Sequence, residues 1–217
     1  MIMYRLPLLI LAMSLLYIFI IPDEPLRFKL LFKLIPMAMI IFYATRQLPR
    51  KKSAAHRLIL IGLVFSMIGD GTLHWFIIGL TAFLMGHIFY LAGFLTRWNF
   101  SWIRLITILP IAGYGLFMAR EQIAALNQNG NESLIIPVLA YITVISLMVW
   151  SAIMTGNKWA IMGSILFVIS DSILAWNMFI SPVNHSGVLI MTTYYGAQFL
   201  IAHSLDTIVK DSNRIVW

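Results

Sequence analysis

Leu134-Ile135-Ile136-Pro137-Val138-Leu139-Ala140-Tyr141-Ile142-Thr143-Val144-Ile145-Ser146-Leu147-Met148-Val149-Trp150-Ser151-Ala152-Ile153-Met154 contains no Asp, Glu, Lys or Arg. A helix rises about 1.5 Å per residue and a bilayer core is about 30 Å thick, so roughly 20 such residues make one crossing. The apolar residues form one block instead of a stripe beside a polar face, which is the pattern of a membrane span. Outward from it, seven further blocks meet or nearly meet that length: Leu6–Ile21, Leu26–Thr45, Leu58–Leu73, Phe76–Leu95, Ile103–Met118, Trp159–Trp176 and Val188–Val209. The whole chain of 217 residues is 61% hydrophobic and 11% charged, with a mean hydropathy of +0.90. A soluble domain is nearer half apolar and a quarter charged. The expected fold is therefore all-α, a polytopic integral membrane bundle of about eight helices, with residues 1–217 forming a single transmembrane domain.

The third and fourth blocks are separated by only a few residues around His74, which predicts a tight helical hairpin. The first block follows Arg5 and is followed by Pro22-Asp23-Glu24-Pro25 instead of a small-residue cleavage site, so it reads as a span and not as a signal peptide. The absence of Cys excludes disulfides, thiolate metal sites and a cysteine nucleophile.

The net charge is +7 and the pI about 9.9. In a soluble protein this balance would raise nucleic acid as a partner. Here the bases sit mostly in short loops between apolar blocks, so they read as topology signals and no nucleic-acid partner is expected. With the Arg46–Arg57 loop in the cytoplasm, that side holds Arg5, Arg46, Arg50, Lys51, Lys52, Arg57, Arg97, Arg104, Lys158, Lys210 and Arg214. The opposite side holds Arg27, Lys29 and Arg120, and Lys33 falls within a span. Both termini are expected to be cytoplasmic, and an even number of spans follows. The short loops, and a chain end Arg214-Ile215-Val216-Trp217 that is no retention signal, favour a bacterial inner membrane over an internal eukaryotic one.

An internal echo accompanies the spans. Gly62-x7-Asp70-x2-Leu73-x-Trp75 recurs as Gly163-x7-Asp171-x2-Leu174-x-Trp176, 101 residues later. That offset fits a duplicated four-helix unit whose copies run in parallel.

Ionisable groups inside spans cost roughly 2.5–3.5 kcal/mol each on insertion scales and usually turn toward an interior cavity. This chain keeps Lys33, Asp70, His87 and Asp171, with Tyr90, Tyr194, Tyr195 and Gln198 as polar company. Asp70 lies 13 residues past Arg57 and Asp171 lies 13 past Lys158, so the two carboxyls reach a similar depth, a little beyond mid-membrane. Lys33, Tyr194 and Tyr195 approach that layer from the outer side. A structural role stands beside the functional one for each: a carboxyl near a helix end, a snorkelling lysine, a satisfied core histidine, or tyrosines of the interfacial belt. Asp70 and His74, four apart, could form a metal pair, with Asp171 and His87 completing a hard N/O site. No fixed-spacing ligand motif is present, so neither metal nor cofactor is expected. His203 and Asp206, and Glu121 and Glu132 of the outer loop, read as solvated.

The ordered elements resemble a known family. Phe65-Ser66-Met67-Ile68-Gly69-Asp70 followed by Phe83-Leu84-Met85-Gly86-His87-Ile88-Phe89-Tyr90 is similar to one signature of the YhhN-like lysoplasmalogenases. Phe167-Val168-Ile169-Ser170-Asp171-Ser172 followed by Thr193-Tyr194-Tyr195-Gly196-Ala197-Gln198 resembles a second, and Lys33-x2-Pro36 resembles the family's lysine-proline element. The resemblance implies a multi-span enzyme that hydrolyses the vinyl-ether bond of a lysophospholipid, releasing a fatty aldehyde and glycerophospho-ethanolamine or -choline. It places Asp70 and Asp171 as the catalytic pair and Lys33, His87, Tyr90, Tyr194, Tyr195 and Gln198 as substrate-binding residues.

That chemistry fits the residues. Protonation of the carbon β to oxygen gives an oxocarbenium ion, water attacks the carbon bonded to oxygen, and the hemiacetal collapses. One protonated acid and one anion suffice, as in glycoside hydrolysis. The sequence leaves open which aspartate is the acid, with the hydroxyls flanking Asp171 favouring it as the anion. Lys33 would hold the substrate phosphate or bias one aspartate toward its anion. The alternative is a small proton-coupled transporter using the same aspartates, which would show Gly/Pro-broken spans in both halves. Only the Asp70 side, with Gly69 and Gly71, has that feature.

Overall fold

The structure is a computed structural model in which residues 2–22 and 24–209 are described. Asp23, Lys210, Arg214 and the C-terminus, which enter the expectations above, lie outside the described residues. Every regular element among the described residues is helical. In chain order these are α1 Ile2–Phe19, α2 Leu26–Gln47, α3 Ala54–Thr72, α4 Phe76–Leu95, a short α5 Trp102–Ile106, α6 Ile108–Gln128, α7 Ile135–Thr155, α8 Lys158–Ala175 and α9 Ser186–Ser204. A 3₁₀ turn precedes α7 and a π-helical turn, Trp176–Ile180, extends α8.

Each expected apolar block overlaps one of these long helices, and the fifth is divided at Thr107 between the short α5 and α6. Six helical stretches are long and apolar enough to cross a membrane: 26–47, 54–72, 76–95, 102–128, 132–155 and 158–180. The apolar part of α1, Arg5–Phe19, is shorter. Thr192, Thr193, Tyr194, Tyr195, Gln198 and His203 make α9 too polar to join the six. The chain is thus an integral, multi-pass helical membrane protein. At the C-terminal ends, two boundaries differ most from the apolar blocks. The fifth block continues as helix to Gln128, because Ala119-Arg120-Glu121-Gln122-Ile123-Ala124-Ala125-Leu126 are strong helix formers although not apolar enough to score as a span. The last helix ends at Ser204, and Leu205–Val209 form turns, five residues before the apolar signal fades.

Helix ends are set by local chemistry. Between α7 and α8, Gly156 takes a left-handed conformation (φ 70°), and the Asn157 side chain accepts hydrogen bonds from the backbone N–H groups of Trp159 and Ala160. Ser53 and His56 form a reciprocal cap at the start of α3. The expected hairpin is present, with α3 and α4 joined through Leu73-His74-Trp75.

The closest helix pairs are α3 with α4 and α8 with α9. The repeated glycines explain both. A Cβ on Gly62 would stand 2.5 Å from the Tyr90 ring and 3.0 Å from Gly86 O; one on Gly163 would stand 2.8 Å from Ile201 and 2.9 Å from Ala197 O. The same device therefore lets two helix pairs approach at equivalent points of the sequence echo. Between them sits a core that includes Met37, Ile40, Ile59, Leu63, Phe94, Phe167 and Ile201, all fully buried.

The basic end of the bundle is tied together by specific bonds. The Tyr43 hydroxyl and His203 Nδ1 are 2.7 Å apart, His56 Nε2 donates to Leu205 O (3.1 Å), and Asn157 Nδ2 donates to Thr207 Oγ1 (2.8 Å). Asn99 N donates to Met154 O (3.0 Å). These join the C-terminal ends of α2, α4, α7 and α9 to the N-terminal ends of α3 and α8, where Arg46, Arg50, Lys51, Lys52, Arg57, Arg97 and Lys158 lie.

Candidate active site

A cavity of about 740 Å³, mouth included, opens between α4, α6, α7, α8 and the π-helical turn. Its walls come from Phe76–Phe83 of α4, Tyr114–Gln122 of α6, Val138–Ser146 of α7 and Val168–Phe179. On α4, α7 and α8 these are the segments away from the basic end, so the cavity lies in the half of the bundle remote from that end.

Asp171 reaches this cavity, and its side chain keeps 15% of its exposure. The Tyr141 hydroxyl of α7 donates to Asp171 Oδ2. His87 Nε2 of α4 lies 3.5 Å from the same oxygen and 3.3 Å from the Tyr141 hydroxyl. His87 is fully buried and its Nδ1 meets no protein partner, so a proton on Nε2 is the tautomer that uses the available acceptor. Three helices thus contribute one residue each to a compact acid–phenol–imidazole group. Beside it the Tyr114 hydroxyl donates to Ser172 Oγ (2.8 Å).

Asp70 belongs to a second cluster behind this one. Its side chain is 2% exposed; Oδ1 lies 3.2 Å from Lys33 Nζ, and Oδ2 accepts the Tyr194 hydroxyl at 2.6 Å. The Tyr195 hydroxyl donates to Lys33 O at 2.8 Å, binding α9 to α2. The Tyr90 hydroxyl donates to Gln198 Oε1 at 2.7 Å, binding α4 to α9. Most of these buried polar atoms satisfy one another, which makes their burial tolerable, while Gln198 Nε2 meets no protein partner. The clusters meet through Phe167, whose ring packs edge-on against His87 at 4.5 Å and against Tyr194 at 5.5 Å.

All eight residues singled out in the sequence therefore lie in or beside these clusters, but only Asp171 of them lines the cavity. Lys33, Asp70, Tyr90, Tyr194, Tyr195 and Gln198 pack among α2, α3, α4 and α9, and His87 stands in the wall behind Asp171. His74 is exposed, and its ring packs at a tilt against Trp75 with centroids 4.0 Å apart. Tyr141 was not singled out. Its signal was available: a phenol in mid-span of the uncharged block 134–154, at the depth of Asp171. Gln122, buried at 3% and lining the outer part of the cavity, lies beyond the end of the fifth apolar block and was missed for that reason.

Known proteins show to which family the chain is similar. The chain is 30% identical over 197 residues to mouse "Lysoplasmalogenase TMEM86B", covering 88% of this chain and 82% of the relative. It is 34% identical over 148 residues to the human protein of that name, covering 65% of this chain and 60% of the relative. It is also 34% identical over 161 residues to human "Lysoplasmalogenase TMEM86A", covering 67% and 64%. No solved structure matches. The YhhN family model matches residues 28–205, a stretch that includes both clusters and every wall of the cavity, and the chain belongs to the YhhN family.

Proposed function

We propose that this protein is a membrane-embedded hydrolase that cleaves the vinyl-ether bond of lysoplasmalogens, yielding a fatty aldehyde and a glycerophospho-ethanolamine or -choline. Its relatives named lysoplasmalogenases support the reaction class. The observation that carries the site is Asp171, a carboxyl held by Tyr141 and His87 at the wall of a largely apolar cavity.

In this reading Asp171 is the acid, the reverse of the assignment that its flanking serines suggest. Protonated Asp171 gives its proton to the alkenyl carbon β to oxygen, leaving the oxocarbenium ion beside the new carboxylate. That carboxylate steadies the cation and takes a proton from the water that attacks the carbon bonded to oxygen. Asp171 is then protonated again, and the hemiacetal collapses to aldehyde and alcohol. Tyr141 holds Oδ2, which leaves Oδ1 to face the substrate, and His87 fixes the phenol and carboxylate in register. Asp70, engaged by Lys33 and Tyr194, acts as the fixed anion of the pair. Tyr90, Tyr194, Tyr195 and Gln198 position the helices that carry these groups.

The residues 1–217 work as one transmembrane domain in this proposal, and the short connections between helices favour a bacterial inner membrane. The test is incubation of detergent-solubilised protein with a lysoplasmenyl lipid. Aldehyde release without a membrane potential or a second compartment is the expected result. Its absence, with the protein folded, would remove the hydrolase reading.

A further inference from the structure

Gln122 of α6 lines the cavity and is 3% exposed, and among the described residues its amide makes no hydrogen bond. Around Asp171 the hydroxyls of the wall are engaged: Tyr141 donates to Asp171, Tyr114 to Ser172, and Ser172 to Val168 O at 2.6 Å. The proposed reaction makes no use of Gln122. A buried amide that has given up water and gained no partner is costly, and one held in a cavity wall is poised for a ligand that supplies the partner. Lys33 is held at Asp70 and is not among the lining residues, so it is not placed to meet that ligand.

Two contacts set the register of α6 against α8. The Tyr114 hydroxyl meets Ser172 Oγ, and the Phe117 ring stacks on Trp176 with centroids 6.3 Å apart. Both helices run away from the basic end, so they climb together. Gln122 lies five residues beyond Phe117 and Asp171 five before Trp176, which separates them by about 15 Å along the axis. Past Asp171 in that direction the rest of the described wall is apolar, with residues such as Phe76, Val138, Leu174 and Met178. In a lysoplasmalogen eight bonds run from the alkenyl carbon that takes the proton to a non-bridging phosphate oxygen, about 9 Å in an extended chain. A contact of about 3 Å at each end brings the span from carboxyl to amide to about 15 Å. The glycerol 2-hydroxyl, only five bonds from that carbon, stops short of Gln122. A phosphate oxygen accepts an amide N–H in a charge-assisted bond, and the amide serves without titrating.

Resting on the vinyl-ether reading, we propose that Gln122 is the head-group residue of the cavity: its Nε2 donates to a phosphate oxygen of the lysophospholipid while the alkenyl carbon lies at Asp171. The lipid is then held with its phosphate toward the end of the bundle remote from the basic connections.

Saturated ethers, which this route cannot cleave, test recognition apart from turnover. Binding of 1-O-hexadecylglycerophosphoethanolamine and of 1-O-hexadecylglycerol to the detergent-solubilised full chain is measured by titration calorimetry. The wild type is expected to prefer the phosphate-bearing ether by about tenfold, the usual worth of one hydrogen bond to a charged group. Equal binding, or a preference for the glycerol ether, overturns the proposal. Gln122→Met keeps the length of the side chain and removes the amide, and is expected to abolish most of that preference. An unchanged ratio in the folded variant means an amide satisfied by water alone and also overturns the proposal. Gln122→Leu takes its place if the methionine variant does not fold, and the wild-type comparison decides if neither does. Absence of aldehyde release from the alkenyl lipid, with the Gln122-dependent preference intact, would sink the vinyl-ether reading and leave Gln122 as a phosphate-binding residue.

Discussion

Lys33 Nζ lies 3.2 Å from Asp70 Oδ1 in a region where the carboxyl is 2% exposed and the lysine 12%. The pair joins α2 to α3 at a depth where neither residue has another charged partner of opposite sign in its cluster. Removing one member of such a pair strands the other, which typically costs 3–5 kcal/mol, whereas replacing both can be neutral. Lys33→Met should therefore destabilise the folded bundle by roughly that amount, and Lys33→Met with Asp70→Leu should recover much of the loss. Thermal unfolding of the purified variants measures it. A Lys33→Met protein as stable as wild type would show that the pair contributes nothing.

Asp171→Asn should keep the fold, since the amide can still accept the Tyr141 hydroxyl, yet lose turnover by about 10²–10⁴-fold, the usual contribution of a general acid. Tyr141→Phe removes one hydrogen bond to a carboxyl, about 1.5–3 kcal/mol, so its rate should fall by roughly 10–100-fold. Steady-state aldehyde release from the folded variants tests both. Full activity in Asp171→Asn would exclude it as the acid.

Protonation at carbon followed by water attack puts the oxygen of water in the hemiacetal and then in the aldehyde, while the glycerol product keeps its own. In ¹⁸O-labelled water the glycerol product should carry no label; it is the one to analyse, because aldehydes exchange. Label there would mean that the other C–O bond breaks and that the oxocarbenium route is wrong.

The glycines of the sequence echo should be intolerant in proportion to what faces them. Gly163→Ala drives a methyl against Ala197 O, a backbone atom that cannot rotate away, and should cost about 1–3 kcal/mol. Gly113→Ala, with nothing within 4 Å, should be neutral or stabilise α6 by up to about 1 kcal/mol. Unfolding midpoints of the two variants, measured side by side, should differ in that order.

The basic end carries the Arg46–Arg57 connection, and the opposite end carries the Asn129-Gly130-Asn131 turn. A reporter inserted at Gly130, exposed with φ 69°, should be active only outside the cytoplasm, and one inserted between Lys51 and Lys52 only inside it. The reverse pattern would invert the topology.

The membrane class, the helices and the depth of the rare polar groups were all legible in the sequence, because each depends on counting along one chain. A 21-residue uncharged block can only be satisfied in lipid as a helix, and a carboxyl 13 residues from a cytoplasmic base has its depth fixed by the helical rise. Asp70 and Asp171 could thus be assigned to one layer without coordinates.

Which way each residue faces was decided only by tertiary structure. In water a helix announces its inner face by polarity, but in a bilayer the lipid-facing and core-facing sides are both apolar, so the rotation of a span about its axis leaves little trace. That rotation places Asp70 against Lys33 and Tyr194, and sets Asp171 at the cavity with Tyr141 and His87. It also explains why Tyr141 passed for one apolar residue among many. Its partner sits 30 residues away on the next helix, and only the packing of α7 on α8 brings the two together.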